Sequence, residues 1–354
     1  MLVLEFLPAR HGDCILVRWG VPDHMMVVDG GPDGVYEQTL RPRLIALASA
    51  QAPAPVVDVL CVSHIDDDHV AGVIRLLREL TQAKRDQLPL PIGLRRVWFK
   101  SVDELIDGVQ PGLAASVRAL VGSAPSNKSV AASYGQGRDV RSGIAALSLD
   151  GNQPFGGTLT TGANTLLHGL EVTVVGPSAA SMAQLVKRWR AAVAKQQVKA
   201  VTAAFTDRAV PNLSSIALYL RHGGRTALLT GDARGDHLLS GLEAAGLLAP
   251  EGTIHLDVLK LPHHGSRNNA EPALFERIRA DHYVVCADGI KHKHPNTETL
   301  EWLVASRDLD DTYTVHLTNS IPAAEARLAA LAVGRAFSVS VGAPRIEIEL
   351  ADAS

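Results

Sequence analysis

The amino-acid sequence predicts a mixed α/β fold with a substantial buried core. Short apolar runs of strand length alternate with helical patterns, and glycine-containing turns close several of these runs. Of the 354 residues, 46% are hydrophobic and 20% charged, which is typical of a soluble globular protein. Neither a repeat nor a linker is evident. We therefore predict one domain spanning residues 1–354, with an insertion at about 103–165.

The first hundred residues are predicted to contain five strands and two helices. Short runs rich in Val, Ile and Leu predict strands at 2–7, 13–17, 25–28, 56–62 and 93–100. Apolar residues at helical spacing predict helices at 36–50 and 70–80. Asp58 is the one polar residue in the run 56–62, and Asp29-Gly30-Gly31 predicts a tight turn that closely approaches another backbone.

The rest of the chain is predicted to become β-rich again after the insertion, whose frequent Gly and Ser give no clear pattern. Apolar runs predict strands at 170–175, 216–221, 226–230, 256–261, 283–287, 315–317, 337–341 and 346–350. Helical spacing predicts helices at 179–204, 238–246, 272–280 and 297–306. The helix 179–204 is basic, which is typical of a solvated face, and its alternative role is a lid that brings cations to a phosphate chain.

Metal-binding side chains follow three of the predicted strands. The segment His64 to His69 contains two histidines and three aspartates, Asp232 ends a second strand, and His263-His264 ends a third. Turns at strand ends usually contain Gly, Asn, Asp or Ser, so a histidine pair there is unusual. Buried carboxylates and imidazoles need a charged partner, because an unpaired buried charge is very costly. The clusters therefore predict a metal site with more than one ion.

These motifs resemble the metallo-β-lactamase superfamily, and in particular the hydrolase domain at the C-terminus of ComEC-type DNA-uptake proteins. The resemblance covers roughly residues 1–305 and lacks a membrane channel. It rests on six motifs: Asp29-Gly30-Gly31, His64-x-Asp66-x-Asp68-His69, Asn212-Leu-Ser-Ser215, Leu-Thr-Gly-Asp232, Lys260-Leu-Pro-His-His-Gly-Ser266 and His294-Pro295. It implies an αββα sandwich of two mixed β-sheets flanked by helices, with metals between the sheets at one edge.

The resemblance also implies the ligands of two adjacent divalent ions, Zn²⁺ or Mn²⁺. His64 and Asp66 would hold one ion, Asp68 and His69 the other, and Asp232 would bridge them. Asp66 stands where the superfamily usually has a histidine, which makes the ligand set richer in oxygen and favours harder ions such as Mn²⁺.

Further residues are expected to complete or support this site. His263 would complete one coordination sphere, while His264 is either another ligand or a substrate contact. Asp29, Asn212 and Ser215 are expected to hold the ligands by hydrogen bonds. The superfamily's mid-chain histidine ligand has no clear counterpart here, since His168 lies in a segment that favours a surface turn.

The expected reaction is hydrolysis of a phosphodiester, most plausibly by a nuclease acting on DNA. Two cations would activate water, with Asp68 and His264 at the reacting centre. His294 or Ser266 would neutralise the phosphoryl oxygens, and His294 would protonate the leaving oxygen if its pKa is near neutrality.

Two alternatives stay open: a hydrolase of a small phosphodiester, such as a cyclic nucleotide or a phosphorylcholine ester, and a non-catalytic metal-stabilised partner in an assembly. The N-terminus lacks a signal peptide, and three scattered cysteines favour a reducing cytosol, so we expect a cytoplasmic protein. No apolar run is long enough to span a membrane, and no motif identifies a protein partner.

Overall fold

The computed structural model describes residues 1–48, 54–100, 128–180, 182–183, 187 and 214–353. Seven strands form the first sheet, in the spatial order β17-β1-β2-β3-β5-β7-β8. Their bounds are β1 Leu2–Phe6, β2 Ile15–Trp19, β3 His24–Val28, β5 Val59–Cys61, β7 Arg96–Trp98, β8 Asp150–Gly151 and β17 Ile346–Leu350. A separate two-strand pair consists of β4 Val56–Val57 and β6 Gly93–Leu94.

Eight strands form the second sheet, in the order β16-β15-β14-β13-β12-β11-β10-β9. Their bounds are β9 Asn164–Leu167, β10 Leu170–Gly176, β11 Ala217–His222, β12 Arg225–Leu229, β13 Ile254–Lys260, β14 Ile278–Val285, β15 Thr314–Leu317 and β16 Ser338–Val341. Both sheets are mixed, because antiparallel strands at one side continue into parallel strands at the other.

Helices cover the outer faces of the sheets. Within the described residues these helices are α1 Arg41–Ala46, α2 Asp67–Arg85, α3 Lys128–Leu147, α4 Gly235–Ala244, α5 Pro272–Arg277, α6 Thr297–Ala305 and α7 Pro322–Leu331. Short π-helical and 3₁₀ turns occupy Tyr36–Leu40 and Pro262–Gly265. Across the described ranges, no helix combines the length and the apolar character that a bilayer crossing requires.

Three apolar layers confirm the predicted αββα sandwich. The central layer packs the facing sides of both sheets together, for example Val17 of β2 with Val172 of β10 and Leu218 of β11. A second layer lies between the first sheet and α2, and a third lies between the second sheet and α4 to α7. This arrangement leaves the ends of the central strands as the place where side chains of both sheets can meet.

Several predicted boundaries differ from the structure. The strand predicted at 56–62 is broken at Asp58, because its carboxylate accepts a hydrogen bond from the Met25 backbone (3.0 Å) and pairs with Arg95 (2.6 Å). The helix predicted at 36–50 is a π-helical turn followed by α1, which ends at Ala46. The predicted helix 179–204 and Asn212 lie largely or wholly outside the described residues, as does much of the predicted insertion.

Candidate metal centre

The predicted metal-binding residues meet at the carboxyl ends of four strands, two from each sheet. Asp29 follows β3, which is parallel to β5, and His64 lies just beyond β5. Asp232 follows β12, which is parallel to β13, and His263 lies just beyond β13. Because parallel strands end at the same edge of a sheet, the alternation of strands and helices delivers all four residues to one cleft.

The start of α2 lies very close to the turn after β3, as the glycine pattern predicts. A Cβ atom on Gly72 would lie 2.0 Å from the Gly30 carbonyl oxygen, so neither position accommodates a side chain without movement. The backbone N–H of Gly72 donates to Gly31 (3.0 Å), and the N–H of Gly30 donates to His69 (2.8 Å). This contact fixes the first turn of α2, and with it Asp68 and His69, against the first sheet.

The carboxylate of Asp232 divides the cluster into two groups. Its Oδ2 lies 3.6 Å from His64 Nε2 and 3.5 Å from His263 Nε2. Its Oδ1 lies 3.3 Å from His69 Nε2 and 3.6 Å from His264 Nε2. Each histidine of the pair 263–264 therefore faces a different oxygen of one carboxylate.

The remaining two aspartates complete this division. Asp66 Oδ2 lies 3.8 Å from His64 Nε2, and Asp68 Oδ2 lies 3.4 Å from His264 Nε2. Each group thus contains two imidazoles, one aspartate of its own and one oxygen of Asp232. Asp67, which lies between them in sequence, is exposed and accepts a hydrogen bond from Gln136 (2.8 Å).

Hydrogen bonds on the first sheet assign the ring protons of His64 and His69. His69 Nδ1 donates to Asp29 Oδ2 (2.8 Å). The Ser63 hydroxyl donates to the same oxygen of Asp29 (2.5 Å) and therefore accepts from His64 Nδ1 (3.0 Å). Both Nδ1 atoms carry a proton in this network, which leaves the Nε2 lone pairs directed at Asp232.

Equivalent bonds orient the two histidines of the second sheet. His263 Nδ1 lies 2.9 Å from Asn269 Oδ1, and His264 Nδ1 lies 2.8 Å from the Cys286 carbonyl oxygen. Asn269 also donates from its Nδ2 to the Asp232 carbonyl oxygen (3.0 Å), so one side chain orients two members of the cluster. Both acceptors are oxygens, so Nδ1 is the donor in these rings too, and Nε2 is the atom that faces Asp232.

The unpartnered atoms of the cluster match the needs of a cation. Nε2 of His64, His69 and His264 and Oδ1 of Asp232 are buried and have no hydrogen-bond partner among the described residues. Lone pairs that face a carboxylate across 3.3–3.6 Å repel it unless a positive charge lies between them. Imidazole nitrogens and carboxylate oxygens are ordinary ligands of divalent first-row metals, so the donor set fits such ions.

The pKa values show the same demand for positive charge. Burial lowers the pKa of His264, but Asp232 and Asp13 outweigh this effect and raise it to about 9. Burial and then the neighbouring His69 lower the pKa of His64 to about 3. Burial also opposes protonation of His69, but Asp232 and Asp29 raise its pKa well above the usual value. Protons on His69 and His264 therefore supply the positive charge that divalent ions would bring.

A buried ion pair lies behind the cluster. The Lys260 side chain is fully buried, contacts a carboxylate oxygen of Asp13 directly, and donates to the Gly231 carbonyl oxygen (2.9 Å). The other oxygen of Asp13 lies 3.3 Å from His264 Nδ1. Lys260 therefore compensates Asp13, whose carboxylate in turn supports the orientation of His264.

Three site residues adopt the left-handed backbone conformation although none is glycine. Their φ angles are 60° at Asp29, 46° at His263 and 57° at His264. Such conformations cost free energy for residues with a Cβ atom and persist only where surrounding contacts impose them. Consecutive left-handed residues at 263 and 264 turn the two rings toward different oxygens of Asp232.

The other predicted site residues lie at different distances from this centre. The Ser215 hydroxyl lies 3.4 Å from His64 Nδ1 and accepts from the Asp232 N–H (3.0 Å). His294 packs edge-on against His263, with ring centroids 5.5 Å apart. Ser266 is buried, and its N–H donates to His263 (2.9 Å), which places it behind the turn. His168 occupies the turn between β9 and β10, as expected.

The near-neutral pKa expected for His294 is not what its surroundings produce. Burial and then the neighbouring imidazoles of His263 and His264 lower this pKa to about 4. At pH 7 the ring is therefore neutral and suited to donating a hydrogen bond rather than a proton. Asn269 and Lys260 were not predicted as site residues. Lys260 alone had a sequence signal, since a lysine at the end of an apolar strand precedes the histidine pair.

Comparisons with known proteins agree with this architecture. Residues 7–85, which include the turn at Asp29 and the segment His64–His69, match the family model of the metallo-β-lactamase superfamily. Together with the two facing sheets, this match identifies a metallo-β-lactamase fold. No curated protein sequence matches the chain significantly.

Several solved structures are similar at low sequence identity. The metallo-β-lactamase fold protein YhfI from Bacillus subtilis is 10% identical, over 98% of this chain and 99% of that one, with a TM-score of 0.44. Zn²⁺-bound PqqB from Methylobacterium extorquens is 12% identical, over 98% and 100%, with a TM-score of 0.44. CmlA, a diiron β-hydroxylase from Streptomyces venezuelae, is 15% identical, over 99% of this chain and 54% of that one, with a TM-score of 0.44.

Proposed function

We propose that this chain is a metal-dependent phosphodiesterase and, within that class, a nuclease acting on DNA. One observation carries the proposal: four imidazole Nε2 atoms surround the two oxygens of Asp232, and within the part of the chain that the structure describes three of these nitrogens are buried without a hydrogen-bond partner. A structural histidine cluster would satisfy those nitrogens with hydrogen bonds, because buried polar atoms are normally paired.

The two groups around Asp232 suggest how two divalent ions would be held. The first would bind His64, Asp66 and His263, and the second would bind Asp68, His69 and His264, with Asp232 shared. Ions bound there supply Lewis-acid charge and lower the pKa of a water molecule. The mixed nitrogen and oxygen ligands suit Zn²⁺ or Mn²⁺.

The surroundings of the cluster favour an anionic substrate. The segment Lys291-His292-Lys293-His294 leads to the cleft, and Lys291 Nζ lies 3.2 Å from His11 Nε2. The rings of His292 and His294 lie 6.1 Å apart, and His294 contacts the ring of His263. His294 would therefore lie beside the proposed ions, and the segment that precedes it, with its two lysines, would form a cationic border. There a neutral His294 would donate to a non-bridging phosphoryl oxygen and bind the developing charge.

DNA as the substrate rests on the motif resemblance to the hydrolase domain of ComEC-type proteins, together with this cationic border. Purified protein should be incubated with single-stranded DNA, duplex DNA and bis-p-nitrophenyl phosphate in the presence of Mn²⁺ or Zn²⁺. We expect cleavage of DNA, and its loss in Asp68→Ala. Asp67→Ala is the matched control, since Asp67 adjoins Asp68 but faces outward. Cleavage of only the small ester would contradict the nuclease, and no turnover with either metal would contradict hydrolysis.

A further inference from the structure

A second group of metal-type side chains lies at the opposite end of the strands from the candidate metal centre. His24, Asp58 and His168 each offer one ligand atom, and all three atoms lie within 4.8 Å of one another. His24 begins β3, whereas Asp29 of the metal centre follows its end. Five residue steps separate the two, roughly 16 Å along an extended strand. The two groups therefore do not share ligands.

Asp58 is the fixed member of this group. Its side chain is buried, its Oδ2 accepts from the Met25 N–H (3.0 Å), and its Oδ1 pairs with Arg95 (2.6 Å). These bonds set the direction of Oδ2. His24 Nδ1 lies 3.3 Å from that same oxygen. Ligand atoms of a tetrahedral Zn²⁺ site are about 3.3 Å apart, given bonds of about 2.0–2.2 Å.

His168 brings the third ligand from the other sheet. It forms, with Gly169, the two-residue turn between β9 and β10, and both residues have positive φ angles of 48° and 87°. Its exposed ring stacks on that of His24, with centroids 3.9 Å apart and planes 4° apart. The turn is held nearby by the indole of Trp19, which donates to the Leu167 carbonyl oxygen (3.0 Å).

We propose that His24, Asp58 and His168 form a structural site for a transition-metal ion such as Zn²⁺, which links the two sheets at the edge opposite the metal centre. Two imidazoles and one carboxylate are ligands that such ions prefer, and a solvent molecule would complete the sphere at the exposed side. Binding requires the two stacked imidazole rings to rotate so that one nitrogen of each points at the ion. The ring of His168 is exposed and can rotate. An ion that binds only the folded chain stabilises it.

The test measures Zn²⁺ bound per chain by equilibrium dialysis followed by metal analysis. We expect His168→Asn to bind one Zn²⁺ fewer than the unmodified chain, since asparagine also tolerates the left-handed turn. The matched control is His255→Ala, which removes an exposed histidine bonded to a single aspartate (2.7 Å), and it should bind as many as the unmodified chain. Because the result is a difference between variants, it holds whether or not the metal centre binds ions.

Thermal unfolding provides a second readout. At Zn²⁺ concentrations about 100-fold above the dissociation constant of this site, Zn²⁺ binding to the site should raise the Tm by roughly 3–4 °C for a chain of this length. The increase in Tm should be absent from His168→Asn. If circular dichroism shows that this variant does not fold, His24→Gln is measured in its place. Equal Zn²⁺ content in the unmodified chain and in the folded variant would overturn the proposal and leave the stacked rings as a packing contact.

Discussion

Asn269 offers the sharpest test of how the metal centre is built, because it touches no ligand atom that would face an ion. Its Oδ1 lies 2.9 Å from His263 Nδ1, and its Nδ2 donates to the Asp232 carbonyl oxygen at 3.0 Å. Asn269→Ala removes both bonds, one at the half-buried ring of His263 and one at the buried carbonyl oxygen of Asp232. A buried polar group left unpaired costs about 1–3 kcal/mol, so the free energy of unfolding should fall by about that amount.

The effect on metal binding follows from the same two bonds. Without Asn269 the ring of His263 loses the acceptor that fixes its tautomer, and the residue that supports Asp232 is gone. Loss of such supporting bonds typically weakens metal binding by roughly 10–100-fold. The affinity for Mn²⁺ or Zn²⁺ should be measured by titration calorimetry, and turnover should be followed as a function of metal concentration. We expect turnover to recover in part at high metal concentration.

Asn268→Ala is the matched control, because its side chain is exposed and directly adjacent in sequence. It should bind metal and unfold like the unmodified chain. Asn269→Asp retains an acceptor for His263 but loses the donor to Asp232, so its affinity should lie between those of Asn269→Ala and the unmodified chain. If Asn269→Ala binds metal as tightly as Asn268→Ala, the assigned orientation of His263 is wrong.

Three further predictions concern other buried groups. Asp68→Ala should abolish turnover but leave the unfolding midpoint near that of Asp67→Ala, since Asp68 lies at the sheet edge; unfolding at ordinary temperature would contradict this. Lys260→Met should lower the free energy of unfolding by about 3–5 kcal/mol in denaturant titrations, because it removes the cation in direct contact with the buried carboxylate of Asp13, and an unchanged midpoint would refute this role. Lys100 is buried and has no hydrogen-bond partner in the described ranges, and desolvation lowers its pKa from 10.5 to about 7. Between these two values Lys100 is protonated in the unfolded chain and neutral in the folded one. The free energy of unfolding should therefore rise from about pH 7 toward pH 10.5, and Lys100→Met should flatten this rise.

Apolar patterns predicted the strands well and their boundaries less well. The strand predicted at 25–28 matches β3 to within one residue. A continuous apolar run of this length that ends at a glycine turn is too short for a helix and is typical of a buried strand. The helix predicted to begin at residue 70 begins at Asp67, since acidic residues in a first helical turn resemble a loop in composition but are favoured there by the helix dipole. The helix predicted at 272–280 ends at Arg277, where β14 begins without an intervening loop.

The residues of the candidate metal centre were predictable where the chain groups them and not where the fold alone brings them together. The segment His64–His69 and the pair His263-His264 are visible in the sequence because His and Asp residues are adjacent there. Their division between the two oxygens of Asp232 depends on left-handed backbone angles at residues 263 and 264, which no local pattern specifies. Asn269 carries no signal of its own, because an asparagine after a glycine turn is common on protein surfaces.

The cluster depends on the contact between the two sheets, which has a consequence for folding. The Ile216 N–H of the second sheet donates to the Ser63 carbonyl oxygen of the first (2.8 Å), and a Cβ atom on Gly231 would lie 3.0 Å from the Cβ atom of Ser63. Only this close approach lets Asp232, from one sheet, reach His64, from the other. Since neither sheet alone holds a complete ligand set, metal binding and docking of the sheets must stabilise each other.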